Sequence, residues 1–100
     1  MPPLGAVVRA DPGNFAARMN LANVLAAGDR LAEALPQLAA AVRLRPSDPD
    51  ANAALGEVLA TLGRGPEAIA ELGEALRLRP GDPGVSAALA EAKRRGLLPL

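Results

Sequence analysis

The chain has 100 residues, enough for one small domain and too few for two ordinary hydrophobic cores. Its 11 basic and 11 acidic residues cancel, so no global field draws it to phosphate backbones or anionic lipid, and neither nucleic acid nor a membrane is expected as a partner. There is no His, no Cys and a single aromatic, which removes His/Cys zinc sites, Ser-His-Asp and Cys-His nucleophiles, disulfides and a base-stacking platform. No catalytic group and no cofactor is expected.

The apolar half of the chain is made up of 23 Ala and 17 Leu against 6 Val, 2 Met, 1 Ile and 1 Phe. Ala and Leu are strong helix formers, while the β-branched and aromatic residues that strands favour are scarce. The composition therefore predicts an all-α protein. The opening Met1–Gly13 lacks a basic segment followed by an apolar run, and no stretch approaches the length of a membrane span. A cytoplasmic location is the expectation. The wealth of Ala, Arg, Gly and Pro matches a GC-rich bacterial genome.

Taken in chain order, residues 4–11 read as the end of a helix. Residues 15–27 form a second, with Asn14 as its cap and Gly28-Asp29 as the turn that ends it. A third runs over about 31–45. Pro36 lies inside it and has no N–H to donate, which predicts either a late start near Leu35 or a small kink. The segment Pro46-Ser47-Asp48-Pro49 breaks the chain. Asp48 is placed to cap the next helix and Pro49 to occupy its first position. Leu55, Val58, Leu59 and Leu62 then recur at helical spacing until Gly63-Arg64-Gly65. Pro66-Glu67 opens a fifth helix, whose buried face is Ala68, Ile69, Leu72, Ala75, Leu76 and Leu78, and Pro80 stops it. A last helix covers about 84–95. The apolar stretch Gly96–Leu100 follows and reads in three ways: a cap folded back on the last helix, a contact with another subunit, or a disordered end.

These helices repeat. Val42-Arg43-Leu44-Arg45-Pro46 returns as Leu76-Arg77-Leu78-Arg79-Pro80, with the prolines 34 positions apart. Aligned without gaps, residues 15–48 and 49–82 are identical at 15 of 34 positions. Prolines, arginines and glutamates fall in register together with the alanines and leucines, which a biased composition alone would not produce.

A period of 34 with two helices per unit resembles the tetratricopeptide repeat. The resemblance rests on Leu21-Ala22 with Leu25 and on Leu55-Gly56 with Leu59 in the first helices. In the second helices it rests on Ala34, Leu38, Ala41 and Pro46, and on Ala68, Leu72, Ala75 and Pro80. It implies a right-handed superhelical stack of antiparallel helix pairs, with repeats at 15–48 and 49–82, a partial helix at 4–11 and a capping helix at 83–96. The family's early aromatic is replaced by Arg18 and Asn52, so the core is expected to be lean.

The resemblance also implies a non-catalytic scaffold whose first helices line a concave groove that holds a peptide or partner helix. The residues placed there are Met19, Asn20 and Asn23 from the first repeat, Asp50 and Glu57 from the second, and Glu91 and Arg94 from the last helix. Small side chains such as Ala26, Ala54, Ala60, Thr61 and Ala88 form the floor, with Arg95 beside Arg94. Asn can both donate to and accept from a peptide backbone. The Lys/Arg and Asn clamp by which some members hold a terminal carboxylate is not expected, because its basic positions are Ala87 and Glu91 here. Partner binding is the leading expectation. Self-association through the stack ends, and service as an accessory part of a larger protein, are the alternatives.

Other charged patterns read as ordinary surface. Arg9, Arg43 and Arg77, with Arg45 and Arg79, recur at helix ends where cations offset the helix dipole. Glu67, Glu71 and Glu74 read as a solvated face, Lys93-Arg94-Arg95 as a solvated terminus and Gly63-Arg64-Gly65 as a turn.

Overall fold

The computed structural model describes residues 3–96, and among them six helices and no strand. These are α1 (Leu4–Ala10), α2 (Phe15–Ala27), α3 (Leu31–Leu44), α4 (Pro49–Thr61), α5 (Gly65–Leu78) and α6 (Pro83–Gly96). Each packs on the next in sequence, and α4 also touches α6, so the chain advances as a stack of antiparallel pairs measuring 45 × 28 × 19 Å. It is an all-α superhelical solenoid. Residues 97–100, most of the apolar tail, lie outside the described residues.

The helix starts are set by the same device three times. Asn14 Oδ1 accepts from the Ala17 amide at 3.0 Å, Asp48 Oδ1 from Ala51 at 3.0 Å and Asp82 Oδ1 from Val85 at 3.1 Å. Each bond satisfies one of the free amides of a first turn, and the three caps stand one repeat apart.

The helix ends repeat as well. Asp29 and Gly63, again one repeat apart, are left-handed at φ 60° and 81°. After each, an amide reaches back five residues, Arg30 to the Leu25 carbonyl and Arg64 to Leu59, both at 2.8 Å. This closure requires a left-handed residue just beyond the helix. Glycine meets that need freely, and Asp is among the few other residues that tolerate it.

Pro36 does not delay α3, which begins at Leu31. Its ring is exposed, and the bond it forfeits is the one its amide would have made to the Ala32 carbonyl.

Small residues set the spacing between helices. Ala34, Ala41, Ala51 and Ala68 are fully buried, and Leu38 and Leu72 fill the space that they leave. One cluster joins Ala22, Ala34, Leu38, Leu55, Val58, Leu59 and Ala68, and a second joins Leu72, Ala75, Val85 and Ala92. At Gly56 the approach is closest. A Cβ there would lie 2.6 Å from Leu72 Cγ.

Arg18 and Asn52 turn out to share a task. Arg18 Nε donates to the Pro12 carbonyl at 3.1 Å, and Asn52 Nδ2 donates to the Pro46 carbonyl at 3.0 Å. Pro12 and Pro46 are also one repeat apart, so two unrelated polar side chains tie the same turn to the same helix. Asn52 is buried and its amide also reaches the Asp48 carbonyl at 2.9 Å. Arg18 extends further, to Gln37 Oε1 of α3 at 2.9 Å.

Candidate concave binding face

The first helices of successive pairs, α2, α4 and α6, lie side by side. Two clefts separate them. The first, about 230 Å³, lies over α2 and α4 and is lined by Asn23, Ala26, Ala54, Glu57 and Thr61, with Leu38 and Val58 below. The second, about 190 Å³, lies between α4 and α6 and is lined by Glu57, Ala60, Thr61, Ala88, Glu91 and Arg95. Glu57 and Thr61 border both, so the two form one shallow trough crossing the helices. Asn23, Glu57 and Glu91 stand one full repeat apart, and stacking turns that sequence interval into a row.

The charges along the row are not equivalent. Glu91 is neutralised by Arg94 and by Arg95, whose Nε lies 3.1 Å from Glu91 Oε1. Glu57 is exposed and has no ion-pair partner among the described residues. The Thr61 hydroxyl donates to the Glu57 carbonyl at 3.0 Å, which holds the hydroxyl against its own helix. Asn20 and Asn23 are exposed on α2. The trough thus runs from neutral amides, past a free carboxylate, to a carboxylate held by two guanidinium groups.

Of the residues placed in the groove from sequence, Asn23, Glu57 and Glu91 line the clefts. Arg94 stands beside them through its pairing with Glu91. Met19 is half-buried and packs against the first core cluster, so it supports the trough from beneath. Asp50 lines neither cleft. Its carboxylate accepts from Arg79 Nη1 at 2.8 Å, bridging the start of α4 to the end of α5. That pairing and Asp82 hold the Arg79 guanidinium above its ordinary pKa, with the Asp50 hydrogen bond the largest cause.

Three of the recurring arginines, Arg45, Arg77 and Arg79, have separate partners. Arg77 binds Glu74 through Nε at 3.0 Å and Nη2 at 2.5 Å, which holds the Glu74 carboxyl below the usual range. Arg45 lies over the Phe15 ring at 4.4 Å. Among the described residues no group of three or more acidic, His or Cys side chains is placed to hold a metal ion, and no helix is long and apolar enough to cross a membrane.

An all-α stack of capped helix pairs, repeating every 34 residues around a trough of small and polar side chains, is the architecture of a helical-repeat interaction scaffold. The chain belongs to the tetratricopeptide repeat family, whose model matches residues 4–49 and, in an overlapping second pass, 25–83. Two solved structures are similar along almost its whole length. That labelled MamA MSR-1 C2 is 27% identical with a TM-score of 0.84, over 93% of this chain and 53% of its own. That labelled MamA AMB-1 P212121 is 27% identical with a TM-score of 0.87, over 93% of this chain and 51% of its own. The chain therefore spans about half the length of these proteins. No curated protein matches it. Family and fold are those of protein–protein interaction scaffolds in general.

Proposed function

We propose that the scaffold holds a peptide or a partner helix in the trough across α2, α4 and α6. The observation that carries this reading is the row Asn23, Glu57 and Glu91, which lines two clefts that meet at Glu57 and Thr61. Alanines on the floor let a partner backbone approach closely. Asn20 and Asn23 supply donors and acceptors for it, and Glu57 offers a free charge near the middle. Glu91 and Arg94 close the far end, Met19 braces the floor, and Asp50 lies at the margin through its bond to Arg79.

The test is affinity capture from lysate of the source organism, with tagged wild type and the double variant Asn23→Lys/Glu57→Lys as parallel baits. Both substitutions fall at exposed helix positions, so circular dichroism should show equal helicity. A protein held by wild type and lost from the variant supports the trough. A protein held equally by both refutes it. Recovery of only an untagged copy of the chain, with both baits, would favour self-association instead.

A further inference from the structure

A separate cleft, of about 310 Å³, opens between α3 and α5 on a face that the concave trough does not use. Its floor is apolar: Leu35 and Ala39 from α3, Leu55 and Leu59 from the helix beneath, and Ala70 from α5. Its rim carries Arg64, Glu67 and Glu71. Arg64 is committed, binding Glu67 through two hydrogen bonds of 2.9 Å. The next cation along α5, Arg77, is committed to Glu74. Glu71 is left without an ion-pair or hydrogen-bond partner among the described residues, although it is half-buried.

Comparison of the repeats shows how this carboxylate came to be unpartnered. The position equivalent to Glu71 is Gln37, which accepts from Arg18. The position equivalent to Arg18 is Asn52, whose amide is spent on the Pro46 and Asp48 carbonyls. The second repeat therefore carries a charge where the first has a neutral acceptor, and it supplies no donor of its own. Burial, and then the nearby Glu74 carboxylate, push the Glu71 carboxyl above the usual range. A cation brought from outside would relieve both costs.

We infer that this cleft is a docking site for a protein partner that inserts a lysine or arginine side chain, its aliphatic stem over Leu35, Ala39, Leu55 and Leu59 and its cationic head on Glu71. The complementarity is twofold. The floor matches a chain of methylenes, and the rim has a net charge of one carboxylate once Arg64 and Glu67 cancel. A neutral apolar side chain would leave Glu71 desolvated and unpaired, and an acidic one would be repelled.

The probe is n-butylammonium chloride, the lysine side chain alone, titrated against the ¹⁵N-labelled full chain at constant ionic strength, with n-butanol and tetramethylammonium chloride as controls. So small a ligand binds weakly, on the order of millimolar, to a cleft this open. Saturable amide shifts are expected at Leu35, Ala39, Ala70 and Glu71, with n-butanol and tetramethylammonium giving weaker ones. In Glu71→Gln, which restores the residue type of the first repeat, the affinity should fall about tenfold, the loss of one charge-assisted hydrogen bond. Glu57→Gln, in the concave trough, should leave it unchanged. Shifts confined to the trough, shifts equal for n-butanol and n-butylammonium, undiminished binding by Glu71→Gln, or no saturable shift in the wild type would each overturn the inference.

Discussion

Gly56→Ala is the sharpest test of how this stack is packed. An added Cβ would lie 2.6 Å from Leu72 Cγ, 2.9 Å from Cδ2 and 3.2 Å from the Leu72 backbone nitrogen. Carbon atoms rest about 3.5–4.0 Å apart, so α4 and α5 would have to part by roughly 1 Å. Leu72 has 0% exposure and cannot swing into solvent. Overpacking of this kind costs about 1–3 kcal/mol, while alanine returns about 1 kcal/mol of helix propensity over glycine. The expected net effect is a loss of up to about 2 kcal/mol. Gly73→Ala is the control: on α5, with no atom within 4 Å of the new Cβ, it should show the propensity gain alone. For a domain of this size 1 kcal/mol moves Tm by about 4–8 °C. Thermal melts followed by far-ultraviolet circular dichroism should therefore move in opposite directions. Ala22 sits one repeat earlier, facing Leu38 instead of Leu72, and already carries a Cβ. Ala22→Gly should destabilise, so the same position prefers opposite residues in the two repeats. If Gly56→Ala were as stabilising as Gly73→Ala, the close approach would not be a constraint and the packing argument would fail.

Three further predictions concern single positions. Asn52→Ala removes the side-chain donor to the Pro46 carbonyl beneath a buried site, while the residue 52 amide still serves the Asp48 carbonyl, and should cost about 1–3 kcal/mol in urea denaturation. Arg18→Ala, at a more open site, should cost less, and equal losses would contradict the role of burial. Gly63→Ala meets no neighbouring atom, so its cost of about 1–2 kcal/mol is backbone strain alone. Asp29→Gly, at the equivalent left-handed turn, should not destabilise, and a loss there would show that the Asp side chain has a role beyond tolerating the turn. Glu71 is raised in the folded state, so the native form binds its proton more readily than the unfolded chain and this group's contribution weakens as pH rises through the raised value. Glu71→Gln should raise Tm at neutral pH and lose that advantage as pH falls below the ordinary carboxylate range. An advantage that persists in acid would trace it to another cause.

The repeat made most of the fold legible before any coordinate. Helix bounds followed from Asn14, Asp48, Pro46 and Pro80, because caps and breakers act over a few residues and leave a local mark. Ala34, Leu38, Ala68 and Leu72 stood out because burial imposes a helical period. Features that depend on a distant partner did not stand out. Nothing local distinguishes Arg18 and Asn52 as turn ties, since their acceptors lie six residues back across a bend. Asp50 looked like a groove residue by spacing, yet Arg79, 29 positions away, claims its carboxylate. Glu71 looked like one of three solvated acids until α3 was placed across from it.

Register between repeats separates the work of folding from the freedom to bind. Where equivalent positions keep one physical task, the residues need not be alike. Asn14, Asp48 and Asp82 all cap, and Arg18 and Asn52 both hold a proline carbonyl. Asp29 and Gly63 both turn left-handed. What recurs at those sites is a bond or a backbone angle, not a residue type. Asn23, Glu57 and Glu91 share a row and no such task, because their side chains face the trough and the packing of α2, α4 and α6 does not depend on them. Gln37 and Glu71 differ more tellingly. The first repeat satisfies the position internally, and the second leaves a partly buried charge open. A stack that needed only to fold would gain by repeating glutamine there. The raised Glu71 carboxyl predicts a cost to stability at neutral pH, which an external cation would offset.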